Sequence, residues 1–509
     1  MADKGNTWLN GAGVISPETR VQPHPVGPSG SRFGSTTRTI LIVGVLAVFT
    51  MVVLIVTPEA WAWELLRVMA VGLVLASLFY LPVRYKQPAF VVWAMLLFSE
   101  CIFFREGDST ANVKAYQGDF PTAVYGEVMM WGLCFLTVLA FSSRVRGFFS
   151  RLFEGDIKWP ALFALVCIGS CAYMPKPTLG LVWAFKLLLI VLLLLLCSIE
   201  MRDFRDTISF LRFTVLGYLV VVMQPVVVAI LRGELFDEDG RMSTVVSPNA
   251  LSPNAGVIVL LALTLYSRRK GEGLHKSAIA LGIGACIVML LAASKTGIMA
   301  AVIAGLLYFV VCRKFGSAMT FVAATVVLAG VLVLTTPLGT YLHAYRQGEG
   351  AESLSGRTIL WTAVKPAIEA KPLLGHGYMA SEFIALQVRD VGWAAPQLHN
   401  GFLETAYNTG AVGLLIMLIV IGIIPLNLYR VLRRLPPSDP IYRVAAGGLS
   451  LFVFLIINAF FNSNFGGKPN VPFMMLFALL VVSSKLVMLS SDPSAAGENT
   501  GFAARIGQG

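Results

Sequence analysis

Gly180–Ile199 reads GLVWAFKLLLIVLLLLLCSI, and Lys186 is the only charged residue in it. About 20 residues rising 1.5 Å each cross the roughly 30 Å hydrocarbon core of a bilayer. The run has neither the alternation of a half-buried strand nor the polar stripe of a surface helix, so it predicts a membrane-spanning helix. Comparable apolar runs occur near 39–57, 64–81, 89–104, 124–142, 160–174, 208–231, 252–267, 277–293, 297–312, 319–336, 411–431, 444–462 and 471–490. The sequence thus predicts an all-α, polytopic helical membrane protein with about 14 spans (12–14), of which 160–174 and 252–267 are the shortest.

Composition agrees. Hydrophobic residues make up 56% of the 509 and charged ones 13%, against about 25% charged in soluble domains. The mean hydropathy is +0.75. Ten-residue alternating segments are missing, which argues against an outer-membrane barrel. The net charge of +11 does not point to nucleic acid, because no basic patch is interleaved with exposed aromatics. In a chain of this class, excess Lys and Arg collects in cytoplasmic loops. The seven cysteines lie in or at the ends of apolar runs. Cys167 and Cys171, one helical turn apart among small or apolar neighbours, read as packing residues.

Alternate loops differ in charge. One set carries Arg84 and Lys86; Arg144, Arg146, Arg151 and Lys158; Arg202 and Arg205; Arg268–Lys270; Arg313 and Lys314; and Arg430, Arg433 and Arg434. The other holds PEAWAWE at 58–64 and GELFDEDG at 233–240. The basic set predicts the cytoplasmic side and both termini with it, so that 337–410 faces outside, which in a bacterium means the periplasm or cell surface. The expected organisation is a disordered cytoplasmic tail over 1–38 leading into an uncleaved signal anchor, spans over 39–336, a periplasmic loop over 337–410, spans over 411–490 and a second tail over 491–509.

The 337–410 loop is the long polar segment of the hydrophobic half. It holds three of the five histidines (His343, His376, His399), together with Arg346, Arg357 and Arg389. Arg357 falls in the first turn of a predicted helix capped by Ser355. A cation there opposes the helix dipole and makes sense if an anion binds, with the guanidinium giving a forked contact. His399 and Asn400 precede a short helix, FLETAYN, that leads through Gly410 into the next span. A neutral imidazole held there can take a proton from a hydroxyl. Lys295, in the turn SKTG at 294–297, sits at the rim beside a helix N-terminus, a place that suits a phosphate oxygen. The SPN repeats at 247–249 and 252–254 put Asn254 on the same side, with Ser252 read as a helix cap. Glu100, Glu127 and Lys186 lie in the outer parts of their spans, where they either snorkel to the outer interface or face a wet cleft enclosed by the outer halves of the helices.

Walker, G-x-S-x-G and HExxH motifs are absent, and Asp237–Asp239 reads as a solvated turn. Energy for chemistry on the outer face then has to arrive with the substrate. A lipid-linked diphosphate sugar meets that need, being anionic, membrane-bound and activated.

Over roughly residues 240–480 the chain resembles the O-antigen ligase and Wzy-type polymerase superfamily of bacterial polysaccharide assembly. The matching stretches are SPN, SKTG at 294–297, SGRTILW at 355–361, PLLGHGY at 372–378 and HNGFLETAYNTGAVGL at 399–414. The resemblance implies an inverting, metal-independent glycosyl transfer from undecaprenyl diphosphate, without a cofactor. His399 and Arg357 match the family's loop histidine and arginine, and Lys295 stands where the ligases often have arginine. Lysine lacks the bidentate fork, and the SKT form looks closer to exopolysaccharide polymerases. Arg346 is a further diphosphate-binding candidate; Asn254, Asn400, Glu100 and Glu127 are candidates for the substrate cleft.

The leading expectation is a polymerase joining undecaprenyl-diphosphate-linked repeat units, a donor and an acceptor glycan, with a chain-length regulator as an open partner. The alternative is a ligase transferring glycan to lipid A-core or protein. A transporter of lipid-linked glycans is the rival from another class; it predicts internal repeats and midplane charges, and neither is evident here.

Overall fold

The computed structural model describes residues 87–102, 132, 135–136, 148–174, 176–233, 235–236, 241–242, 247–266, 275–337, 357–383 and 397–491. Its long elements are α1 (Pro88–Ile102), α2 (Lys158–Ser170), α3 (Pro177–Glu200), α4 (Phe204–Arg232), α5 (Pro248–Tyr266), α6 (His275–Leu291), α7 (Lys295–Val311), α8 (Phe315–Thr335), α9 (Arg357–Ala370), α10 (Gly401–Arg434), α11 (Pro440–Phe461) and α12 (Val471–Ser491). A single bridge, Phe236 to Met242, is the one strand-like pairing among the described residues. Seven of these helices are long and apolar enough to cross a membrane, and α1, α2, α6 and α7 add shorter apolar ones. The apolar runs expected from 89–104 and from 160 onward coincide with helices. Those at 39–57 and 64–81 lie outside the described residues, as does 124–142 apart from residues 132, 135 and 136, which are helical.

The centre of the bundle is α12. Met475, Phe477, Ala478, Leu480 and Leu486 are fully buried, as expected of a helix that is apolar on every side and enclosed by others. It packs against α3, α4, α10 and α11. α8 is the opposite case: equally apolar, it leaves Met319, Val326 and Leu334 at 72%, 66% and 86% exposure. An apolar face of that extent is costly in water and natural against lipid.

Two close approaches fix how α5 meets α11. A Cβ built on Gly256 would lie 2.5 Å from Phe454 Cζ, and one built on Gly447 would strike the Thr264 hydroxyl. The sequence numbers run in opposite senses, so the helices are antiparallel. Stepping one turn from each member of the first pair puts Ser252 and Asn458 at the same level on facing sides. Both are fully buried. α5 starts at Pro248, the first position of a helix where proline costs nothing, and Pro253 lies inside it. Ser252 is therefore an interior residue rather than the cap expected of it; the Ser247 carbonyl takes the amides of Ala250 and Leu251.

α10 is two helices joined at a break. Gly410 has φ 63° and ψ −162°, a conformation open to glycine and strained for other residues. The break separates FLETAYN from the span that follows, as the sequence predicts. Loop 372–377 takes up the backbone groups it frees. Ala411 and Val412 donate to the carbonyls of Pro372 and Leu373, while His376 and Gly377 donate to those of Tyr407 and Asn408. Gly375, at φ 70°, lets the loop close on the break: a Cβ there would be 2.6 Å from the Gly410 nitrogen.

Candidate functional site

The site is built where α9, the start of α10 and the segment Asn462–Asn470 meet. α9 carries Arg357 at its first position, and the fourth residue along, Trp361, points along the same face. The Trp361 indole donates to the Leu398 carbonyl at 2.9 Å. Leu360 and Val364 bury themselves against Ala380, Leu398 and Tyr407. The motifs SGRTILW and HNGFLETAYN, some forty residues apart in sequence, are locked together by that contact.

His399 occupies the hinge between loop and helix, at φ 51°. A residue with a side chain persists in this left-handed conformation only when its surroundings hold it. Its backbone N–H donates to Ser463 Oγ at 3.1 Å. Asn400 then caps α10, its side-chain oxygen accepting from the amides of Phe402 and Leu403 at 3.0 and 3.1 Å. Burial pulls the His399 imidazole down from 6.5 to about 4, and the nearby Arg357 guanidinium adds to that by repelling a second positive charge. The imidazole is thus neutral at ordinary pH. Burial lowers the Arg357 pKa too. The structure therefore brings together the cation and the neutral histidine that the sequence singled out.

Asn462–Asn470 reads NSNFGGKPN and closes this corner. Phe465 packs edge-on to Phe402, ring centres 5.0 Å apart, and lies against Gly401. Asn470 caps α12 through the Phe473 amide and donates to the Ser463 carbonyl. Beneath it lies a buried network. Ser381 Oγ donates to Glu404 Oε1 at 3.2 Å, Asn408 Nδ2 donates to the Gly466 carbonyl at 2.8 Å, and the Ser381 amide donates to Asn408 Oδ1 at 2.7 Å. Tyr378 reaches in from PLLGHGY, its hydroxyl donating to the Gly467 carbonyl at 2.6 Å. Sequence reading treats 463–470 as a plain connection between two spans. The available signal was its density of Asn, Ser and Gly around one lysine, set between two apolar runs.

Lys295 and Asn254 form a second group. Lys295 is exposed at the head of α7, and Gly297 two residues on is pressed against Ser252, with Pro253 N 3.5 Å from where its Cβ would be. SKTG and SPN are therefore in contact. α11 packs on α5, α7 and α10. Asn254 is buried, 6% exposed, and its Oδ1 has no hydrogen-bond partner among the described residues.

His376 has a structural place: its Nε2 is 2.8 Å from the Ala367 carbonyl and its ring stacks on Tyr407 at 4.4 Å. Lys186 is almost fully buried, its ammonium 5.1 Å from the centre of the Trp183 ring, which it shares with Lys468 at 4.5 Å. Cys167 and Cys171 are buried free thiols, and Cys171 donates to the Cys167 carbonyl, in keeping with packing residues. Glu100 is on α1, but its side chain, like Glu127, His343, Ser355 and Arg346 as a whole, lies outside the described residues.

A helical bundle with long apolar spans and a polar corner that holds His399 and Arg357 is the architecture of a multi-pass membrane protein. Residues 278–418 match the family model described as O-antigen ligase, which bears out the resemblance to the O-antigen ligase and Wzy-type superfamily. The matched stretch contains Lys295, Arg357 and His399; SPN and Asn462–Asn470 flank it. No curated protein matches the chain.

Proposed function

We infer that the protein is a glycosyltransferase that polymerises undecaprenyl-diphosphate-linked repeat units at the periplasmic face of the bacterial inner membrane. The carrying observation is the pairing of a buried, neutral His399 with Arg357 through the Trp361–Leu398 contact. In this reading the acceptor hydroxyl oxygen attacks the anomeric carbon from the side opposite the diphosphate. The C–O bond to the diphosphate breaks with inversion, and the hydroxyl proton passes to the His399 imidazole. Arg357 stabilises the charge gathering on the leaving diphosphate, and Lys295 and Arg346 are assigned to the same anion. The transfer draws its energy from the activated donor. The alternating basic loops support the periplasmic placement.

A ligase that passes the glycan to lipid A-core or protein is the second reading, favoured by the description of the matching family. Lysine at 295 favours the polymerase. The test uses the purified full chain in liposomes with undecaprenyl-diphosphate-linked repeat units as both donor and acceptor. The wild type is expected to give a ladder of products. His399→Ala is expected to lower transfer about 10²–10⁴-fold while keeping affinity for the lipid diphosphate. A chain active only when lipid A-core or a protein acceptor is added would establish the ligase, and near wild-type transfer by His399→Ala would remove histidine from the mechanism.

A further inference from the structure

Lys186 and Lys468 are two cations to which the transfer scheme gives no task. Lys186 is in the third turn of α3, a helix long and apolar enough to cross a membrane, and it is 1% exposed. A charge held at that depth is costly, and in spanning helices such residues mark the paths of ions and charged substrates. Lys468 comes from a distant part of the sequence, the α11–α12 connection, and is partly buried. Their ammonium groups stand 5.1 and 4.5 Å from the centre of one ring, that of the buried Trp183. The indole attracts each of them. Like charges gathered on one ring also repel, the more so where water is excluded, so an anion that meets both gains from both.

A short chain of contacts joins this pair to the His399 corner. A Cβ on Gly180, in the first turn of α3, would lie 2.8 Å from the Tyr378 carbonyl oxygen, so α3 presses on the backbone of Tyr378. The Tyr378 hydroxyl donates to the Gly467 carbonyl at 2.6 Å and so holds the residue before Lys468. Gly467 lies against the Glu404 carboxylate, whose Oε1 is 2.7 Å from where a Cβ would be. Glu404 stands one turn after Asn400, the cap that follows His399. Lys468 is thus on the same strip of chain as Ser463, whose hydroxyl accepts the His399 amide. The anion-binding candidates Arg357 and Lys295 belong to α9 and α7, so Lys186 and Lys468 are a separate set of charges on separate elements.

We propose that Lys186 and Lys468, gathered on Trp183, form a second phosphate-binding site, which takes the lipid diphosphate of the acceptor while Arg357 holds that of the donor. Ammonium groups suit phosphate oxygens as point charges that need no fixed fork. Lys186 lies within a spanning helix, so the phosphate that reaches it is one carried by a lipid. A polymerase whose donor and acceptor are both undecaprenyl-diphosphate-linked has to hold two such groups at once. Naming the second as the acceptor's rests on that reading; the site itself does not. Both lysines lie outside the stretch that matches the family.

The test counts undecaprenyl diphosphate molecules bound to the purified full chain in detergent by native mass spectrometry. The wild type is expected to bind two and Arg357→Ala one. Lys468→Met and Lys186→Met, which remove the charge and keep much of the volume, are each expected to weaken one of the two about tenfold. Lys468→Arg, which keeps the charge, is expected to stay close to wild type. Lys468 is only partly buried, so its variants keep the readout even if Lys186→Met fails to fold. Phosphatidylglycerol and inorganic diphosphate, each equimolar with the probe, are expected to displace neither molecule. Two molecules bound as tightly by Lys468→Met as by the wild type overturn the proposal. So does loss of the second molecule to phosphatidylglycerol, which makes the site a general contact for anionic lipid, or to inorganic diphosphate, which makes it a site for a soluble anion. Glycan transfer separates the two ideas: a wild type that builds no ladder, while Lys468→Met still loses the second lipid, sinks the polymerase and leaves the site.

Discussion

The indole nitrogen of Trp361 and the carbonyl oxygen of Leu398 are joined at 2.9 Å. This one bond ties the helix that begins with Arg357 to the residue just before His399. Removing the N–H while keeping a ring isolates its contribution. In Trp361→Phe the buried Leu398 carbonyl loses its donor, at a cost of about 1–3 kcal/mol. Transfer is expected to fall roughly tenfold, since a small misplacement of base against anion site is felt strongly, while the amount of protein in the membrane is unchanged. Initial rates of product-ladder formation check it, and an unchanged rate would mean that α9 packing alone sets the geometry.

Arg357 and His399 are coupled through charge, and the size of the coupling can be read directly. Burial is the larger cause of the low His399 value and Arg357 the smaller. Arg357→Ala is therefore expected to raise the imidazole pKa from about 4 without restoring 6.5, because burial persists. Titration of labelled histidine by NMR measures this. Transfer in the same variant is expected to be abolished, and Arg357→Lys, which keeps the charge and loses the fork, should not rescue it.

The same shift sets a pH dependence. The folded protein holds His399 neutral down to about 4, whereas the unfolded chain takes up its proton near 6.5. Below 6.5 the unfolded state binds more protons, so stability falls as pH drops from about 6.5 towards 4 and is fully present above that window. The full contribution is on the order of 3 kcal/mol. Thermal unfolding of the wild type should show this loss between pH 6.5 and 4.5, and His399→Ala should show less of it. If His399 is the base, the acid limb of transfer should likewise lie near 4, not near 6.5.

The bundle was legible in the sequence because apolar length is a local property: from 160 onward each predicted run falls on a helix, and HNGFLETAYN separates from its span at Gly410 as expected. The meeting of Arg357 with His399 was foreshadowed by residue type, but its means, Trp361 reaching back to Leu398, depends on how two distant segments pack. Ser252 was misread as a cap because proline at 253 looks like a helix start, when Pro248 one repeat earlier already supplies it. Asn462–Asn470 was passed over for a related reason: its side chains act on α10 and α12, and nothing within the segment shows which buried partners its amides and hydroxyls will meet.

Gly297 and Ser252 give the remaining prediction, because they join the two motifs SKTG and SPN. A Cβ at 297 would overlap Ser252 Oγ and come within 3.2 Å of Ser252 Cβ. Gly297 is buried in the first turn of α7 and Ser252 is fully buried in α5, so neither can swing clear. Gly297→Ala is expected to destabilise by about 1–3 kcal/mol through overpacking, although the helix itself would gain from alanine. Ser252→Ala should be neutral or slightly stabilising, because its hydroxyl is buried without a hydrogen-bond partner among the described residues. The double variant removes the overlapping oxygen and should recover most of the loss, a coupling of about 0.5–3 kcal/mol of the kind seen between residues in contact. Lys295 stands two residues before Gly297, so its ammonium should move with that turn. Transfer is expected to fall in Gly297→Ala and return in the double variant. Melting temperatures and transfer rates of the four proteins form the cycle. Full additivity would show that SPN and SKTG do not act as one unit, and would leave Lys295 independent of the α5 contact.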